Sequence, residues 1–136
     1  MNDEERLKQG FTMRRAVLGD VHVDRAEANK TPLNADFQNF ITRYAWGEVW
    51  ARPGINRHDR SMITIAMLIA LNRADELRMH FRACFNNGVT EEELRELIFH
   101  SALYCGLPAA NSAYHLAAEV LAERARANTK PAPASE

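Results

Sequence analysis

Two indoles, a carboxylate and a guanidinium fall within one short stretch, Trp46-Gly47-Glu48-Val49-Trp50-Ala51-Arg52-Pro53-Gly54. Helix building alone gives no reason for that combination. Indoles beside charged groups fill interfaces, and they also make a dry wall against which a small anion can be held. A carboxylate such as Glu48 between two Trp residues is poorly solvated if buried, and its pKa then rises. A second polar cluster follows at Glu76-Leu77-Arg78-Met79-His80, whose Glu and His are four residues apart. On a helix both face the same side, which suits proton transfer.

Each candidate has a plainer reading. His80 on spacing alone is a solvated or hydrogen-bonded helix residue, and Glu76 with His80 an ordinary helix-face pair. Arg52 before Pro53 can close a helix end through its carbonyls. Tyr104 and Cys105 can pack beneath the turn at Gly106, and Arg14 and Arg15 read as solvated unless one of them reaches an anionic ligand. His22, His58, His100 and His115 lie in different segments without metal-ligand spacing, so no metal site is expected.

What is missing narrows the chemistry. The chain has no Gly-rich phosphate loop, no GxSxG elbow and no HExxH. Lys8, Lys30 and Lys130 all lie outside Trp46 to Cys105, which leaves no lysine there for a Schiff base. An enzyme built on these residues is expected to do acid/base work without a cofactor. Cys84 and Cys105 match neither a CxxC pair nor a zinc knuckle and read as reduced thiols.

The elements that must position these groups are helices. Leu7 to Leu18 has helical spacing, weakened by Gly10 and ended at Gly19-Asp20; a short helix from Val23 to Asn29 follows. Thr31-Pro32 reads as the entry to a helix with a Phe37, Phe40, Ile41, Tyr44, Ala45 stripe that stops before Pro53-Gly54. Asn56 caps the next helix, which runs to about Asn72 and whose second half is apolar on every face. In so small a chain that predicts a subunit interface and an obligate oligomer. Ala74 to Phe85 is closed by Asn86-Asn87-Gly88, and Thr90-Glu91-Glu92-Glu93 is a capping box opening a helix that breaks at Tyr104-Cys105-Gly106-Leu107-Pro108. The last helix spans Ala109 to about Ala125. The reading is all-α, with one domain over residues 1–127 and a disordered tail over 128–136.

With 136 residues and a net charge of −1, the chain presents no basic field for nucleic acid or an acidic membrane. The acidic start at Met1-Asn2-Asp3-Glu4-Glu5 lacks the pattern of a secretory signal, and the apolar run Met62 to Leu71 is far short of the roughly 20 residues that span a bilayer. A cytoplasmic location is expected.

Together the motifs resemble the 4-carboxymuconolactone decarboxylase family. The residues that carry the resemblance are Tyr44-Ala45-Trp46-Gly47-Glu48-Val49-Trp50, Arg52-Pro53-Gly54, Arg60-Ser61 with Ile63-Thr64-Ile65-Ala66, Glu76-Leu77 with His80, Asn86-Asn87-Gly88-Val89-Thr90, and Tyr104-Cys105-Gly106-Leu107-Pro108-Ala109-Ala110. Arg14-Arg15-Ala16-Val17-Leu18-Gly19 and Asp36-Phe37 with Phe40-Ile41 extend it upstream. The wider AhpD-like superfamily has a redox branch with a CxxCxxxH motif. Here Arg73 and Glu76 stand at the cysteine places while His80 keeps the histidine, which argues against the alternative of a thiol-based peroxidase. A non-catalytic AhpD-like oligomer is the other alternative. The resemblance implies an AhpD-like helical fold, a homo-oligomer that is commonly a hexamer, and a place in the protocatechuate branch of the β-ketoadipate pathway. It further implies cofactor-free decarboxylation of a small anionic lactone to an enol-lactone. Within that implication His80 and Glu48 are the catalytic candidates, Arg52 the carboxylate anchor, and Trp46, Trp50, Tyr104, Glu76, Cys105 and Arg15 the substrate-binding candidates.

Overall fold

The computed structural model describes residues 1–129, and every regular element among them is helical. The first helix, α1 (Asp3–Leu18), begins one turn before the hydrophobic spacing indicates. Asn2 accepts from the Glu5 amide while Glu5 reaches back to the Asn2 amide, a reciprocal cap that extends the helix into its acidic start. Gly19 at φ 91° turns the chain into α2 (Asp20–Ala28), a position where a side chain would be strained. The expected entry at Thr31-Pro32 is instead a turn, and α3 (Ala35–Ile41) starts after it. Phe37, Phe40 and Tyr44 of the predicted core stripe face outward, and only Ile41 and Ala45 join the interior.

Thr42–Trp50 continues α3 as a π-helix, which the sequence pattern does not announce. Its i→i+5 bonding widens each turn, so Trp46 and Trp50, four apart, lie close to one above the other. This segment packs tightly on α1 because each contributes a glycine to the crossing. A Cβ on Gly10 would collide with the Thr42 carbonyl, and one on Gly47 would come within 2.5 Å of the Arg6 carbonyl. Gly10, which propensity marks as a weakness of α1, is therefore what allows the two backbones to touch. Across the crossing Gln9 Nε2 donates to the Gly47 carbonyl at 2.9 Å, and buried Arg14 donates to Thr42 Oγ1 at 3.1 Å and Gln38 Oε1 at 3.0 Å.

Asn56 caps α4 (Arg57–Leu71) as expected, accepting from the Asp59 amide, and Asn72 ends it in the left-handed region at φ 56°. Then come α5 (Ala74–Ala83), a 3-10 turn at Cys84–Asn87 closed by Gly88, α6 (Glu91–Cys105) behind the Thr90–Glu93 capping box, and α7 (Leu107–Asn128). Pro108 sits in the first turn of α7, where its missing N–H leaves nothing unpaired. Asn128, assigned by the sequence to a tail, ends this helix, and residues 130–136 of that expected tail lie outside the described residues.

Two hydrophobic clusters result. The larger joins α4 to α7 around Ile65, Ile69, Phe81, Leu94 and Ile98, each worth about 1.5–3 kcal/mol of burial. The smaller joins α1, α2, the π-helical segment and α5 around Val17, Val23, Trp46 and Ala83, with Trp50 and Met79 against it. A whole apolar face remains uncovered: Ile63, Met67 and Leu71 on α4, Phe99 and Leu103 on α6, and Leu107 on α7 are exposed. No helix among the described residues is long and apolar enough to cross a membrane.

Candidate active site

The π-helical segment and α5 bring Trp46, Trp50 and His80 together. The two indoles are 5.1 Å apart, and the Trp50 ring lies 6.4 Å from the imidazole of His80, the two planes within 17° of parallel. Trp46 is buried and His80 is only 7% exposed. His80 Nδ1 is buried without a hydrogen-bond partner, a costly arrangement that a bound acceptor or donor would relieve.

Burial first, and then the nearby charge of His22, push the His80 pKa down to about 4, while Glu76 one turn earlier pulls the other way. The interior thus keeps His80 neutral well below the range in which an ordinary imidazole takes up its proton. The sequence places Glu76 and His80 on one side of a helix, but it does not show that the interior accepts only the imidazole, leaving Glu76 in solvent. His22 is itself shifted downward by burial and by Arg14, Arg25 and Arg82.

Glu48 does not lie between the indoles. The Trp side chains meet each other, and the Glu48 side chain, 51% exposed, turns to the opposite face of the segment, where Arg6 Nε approaches it at 3.4 Å. The burial on which the reading of Glu48 rests is not found within one chain. Arg52 is also exposed; its carbonyl accepts from Arg60 at 3.3 Å, the helix-end role that its position before Pro53 allows. Arg15 is held on the surface by Asp24 at 2.8 Å and Asp20 at 3.2 Å, away from His80. Tyr104, 77% exposed, packs on His100 with ring centroids 5.2 Å apart. With half-buried Cys105 it lines a separate open groove of about 680 Å³, shared with Met62, Ala66 and Phe99.

One chain therefore assembles Trp46, Trp50 and His80 and leaves Glu48, Arg52, Arg15, Tyr104 and Cys105 on other surfaces. The two thiols share no site either: Cys84 is enclosed in the larger core, where burial pushes its thiol up to about 12. Among the described residues no group of three His, Cys, Asp or Glu side chains is arranged to hold a metal ion. On sequence Arg14 reads as solvated, but it is buried against Thr42 and Gln38, and His22 is weighed there only as a metal ligand. No motif spacing ties α2 to α5; only their shared hydrophobic cluster does.

Residues 35–119 match the Carboxymuconolactone decarboxylase family, well over half of the chain. The chain belongs to that family. It is 64% identical over 120 residues, 88% of this chain and 90% of the relative, to a protein of Acinetobacter baylyi named 4-carboxymuconolactone decarboxylase. It is 45% identical over 100 residues, 74% of this chain and 70% of the relative, to the nitrosuccinic acid decarboxylase of Metarhizium robertsii. An aligned stretch of 120 residues in a chain of 136 necessarily takes in Trp46, Trp50 and His80.

Proposed function

We propose that the protein decarboxylates 4-carboxymuconolactone to the β-ketoadipate enol-lactone without a cofactor, as a cytoplasmic homo-oligomer. The observation that carries this is the 64% identity to the Acinetobacter decarboxylase over 120 residues, a stretch that takes in Trp46 to His80. The second relative supports the reaction type by its substrate's chemistry. In nitrosuccinic acid the nitro group accepts the electrons left by carbon dioxide; in the lactone, the ring alkene and carbonyl accept them. Each substrate is its own electron sink.

The protein then has three tasks: to hold a dianion, to stabilise the oxyanion that develops on the lactone, and to protonate the ring carbon next to the carbonyl. His80 is the proposed proton donor and Trp50 the wall that keeps its ring in place. With a pKa of about 4, roughly one empty site in a thousand holds imidazolium at pH 7. The bound dianion supplies the missing stabilisation, since an opposite charge at contact distance favours the charged imidazole. His80 thus takes up a proton from solvent as the dianion binds, and that proton passes to the ring carbon. Trp46 completes the aromatic wall.

Glu76 stands one turn from His80 on α5, while Glu48, Arg52, Tyr104, Cys105 and Arg15 join this site only through assembly. The exposed face of α4, α6 and α7 is larger and more apolar than single surface residues require, which supports a second copy there. The AhpD-like arrangement, commonly a hexamer, is the proposed form. In it Glu48 orients the imidazolium or donates to the lactone, and Arg52 anchors a carboxylate, a role its planar guanidinium suits.

Carbon dioxide release and enol-lactone formation from 4-carboxymuconolactone test the proposal. Wild-type turnover lost in His80→Asn with assembly intact is the expected result; no wild-type turnover rejects the substrate, and full turnover in the variant moves the proton chemistry away from His80.

A further inference from the structure

The polar contacts of α1 converge on the point where α-helical winding gives way to π-helical winding. Arg14 is 5% exposed, and Thr42, the first residue of the π-helical segment, is fully buried. The Thr42 hydroxyl donates its one proton to the Gln38 carbonyl a turn earlier, at 2.8 Å, a contact that often bends helices. It accepts in turn from Arg14 Nη1 at 3.1 Å, while Nη2 of the same guanidinium donates to Gln38 Oε1 at 3.0 Å. One planar fork thus grips both ends of the last α-helical turn. The grip is costly. Neutral groups alone hold it, burial pulls the Arg14 pKa down, and Glu27, whose charge opposes that shift, is engaged by Lys30 at 2.9 Å. A buried charge held this way is often less stabilising than an apolar side chain of the same volume; what it adds is direction, because the fork fixes its two acceptors relative to each other. The aromatic wall is what that direction serves. Trp46 and Trp50 follow Thr42 within the same segment, so the winding that begins at Thr42 sets where both indoles point. They end 5.1 Å from each other, with Trp50 6.4 Å from the ring of His80. A π-helical run of nine residues is rare, and α1 ties this one down at both ends of its first turn, through Arg14 at the Thr42 side chain and Gln9 at the Gly47 carbonyl.

Resting on the decarboxylase reading, we propose that Arg14 is a positioning residue of the Trp46, Trp50 and His80 site. Through Thr42 and Gln38 it fixes the winding of Thr42–Trp50, and with it the placement of the two indoles against the imidazole. Arg14 touches no substrate; it acts through the segment that does. Arg14→Met removes the fork while keeping apolar volume, and Thr42→Val removes the hydroxyl while keeping the branched shape. Thr42→Ser keeps the hydroxyl and gives up only the methyl group.

Two readouts test this, each taken well below the melting midpoint. The chain has two tryptophans and they are this pair, so the coupled circular dichroism band of neighbouring indoles reports their geometry without substrate. Coupling depends steeply on separation and mutual orientation. In Arg14→Met and Thr42→Val the band is expected to collapse toward that of Trp50→Phe, which has no indole pair, while the helical signal stays. A band as strong as that of wild type in either variant overturns the proposal. Thr42→Ser is expected to restore it; a band lost as fully with serine as with valine shows that the hydroxyl is not the handle, and overturns the proposal too. The second readout is decarboxylation of 4-carboxymuconolactone. KM is expected to rise about tenfold in Arg14→Met and Thr42→Val and to return toward wild type in Thr42→Ser, because a displaced wall misplaces the substrate. Loss of folded protein alone would lower apparent kcat and leave KM as it was. An unchanged KM beside a collapsed band overturns the role in the site. If the wild type does not turn over, the decarboxylase reading fails, and the band still decides whether Arg14 holds the indoles. Should Arg14→Met not fold, the Thr42 pair of variants carries both readouts.

Discussion

Acid should unfold this protein partly through one imidazole. In the unfolded chain His80 takes up a proton near its ordinary pKa of about 6.5, whereas in the fold it resists until about 4. Between those values the unfolded state binds the additional proton, so stability attributable to His80 is complete above pH 6.5 and is lost as pH falls toward 4. A gap of that size amounts to about 3 kcal/mol in total, of which about 2 kcal/mol is already lost by pH 5. Against a typical domain stability of about 5–15 kcal/mol this is large enough to see. The assay is urea unfolding of wild type and His80→Asn at matched protomer concentration, repeated from pH 7.5 to 4. Carboxylates titrate in both proteins and cancel in the difference. Asparagine does not titrate, so the stability difference between the two proteins should shift by about 3 kcal/mol across the range, in the direction that penalises wild type in acid. Parallel pH curves would show that His80 is not held neutral by burial, and the account of its delayed protonation would fall with that result.

Gly10→Ala sets two effects against each other: alanine favours the helix by about 1 kcal/mol, but its Cβ meets the backbone carbonyl of Thr42, which has nowhere to go. Net destabilisation of about 2 kcal/mol or more is expected in thermal or urea unfolding, and a stabilised variant would refute the close crossing. His58 lies between Asp59 at 2.9 Å and Glu93 at 2.7 Å, and these hydrogen bonds, that to Asp59 foremost, raise its pKa. Its contribution is therefore full below about pH 6.5 and fades as pH rises through the raised value, so the melting-temperature gap to His58→Gln should be wider at pH 6 than at pH 9. Cys84 should label with a thiol reagent only when the protein unfolds, and rapid native labelling of both cysteines would contradict its enclosure. Met67→Lys on the uncovered α4 face should lower the sedimenting mass while the helical signal stays; an unchanged mass would remove that face from the assembly.

The helices were legible because their punctuation is chemical and local. Asn56, Thr90 with Glu93, Asn86-Asn87-Gly88 and Gly106-Leu107-Pro108 each mark a boundary through a specific cap or backbone requirement, and each boundary stands. What the sequence hid depends on three-dimensional neighbours. The π-helical winding of Thr42–Trp50 is one case: the Trp46, Glu48, Trp50 spacing suggests a carboxylate between indoles, but the wider turn brings the indoles together, tilted at 36°, and sends Glu48 out toward Arg6. Gly10 is another, since a glycine in a helix reads as a defect until its partner, the Thr42 backbone, is known. The spacing of Glu76 and His80 put both on one helix, but the neutrality of His80 was not legible, because burial is a property of the packed cluster.

A site divided between two surfaces, as proposed above, would have a physical logic. A decarboxylase whose substrate carries its own electron sink needs little reactive equipment, but it needs water kept out while the dienolate exists, because water is a competing proton source and weakens every electrostatic contact. One chain of this size has spent its apolar interior on two clusters, and its open groove of about 680 Å³ is lined by α4 and α6 rather than by Trp46, Trp50 and His80. Its uncovered apolar face and the open groove beside Tyr104 and Cys105 are surfaces that association would dry. If assembly closes the site, dilution below the association threshold should abolish turnover while leaving helicity in place, and activity per protomer should rise with protein concentration until assembly is complete. A specific activity that stays constant through dissociation would instead place the whole reaction on the Trp50 and His80 surface of a single chain.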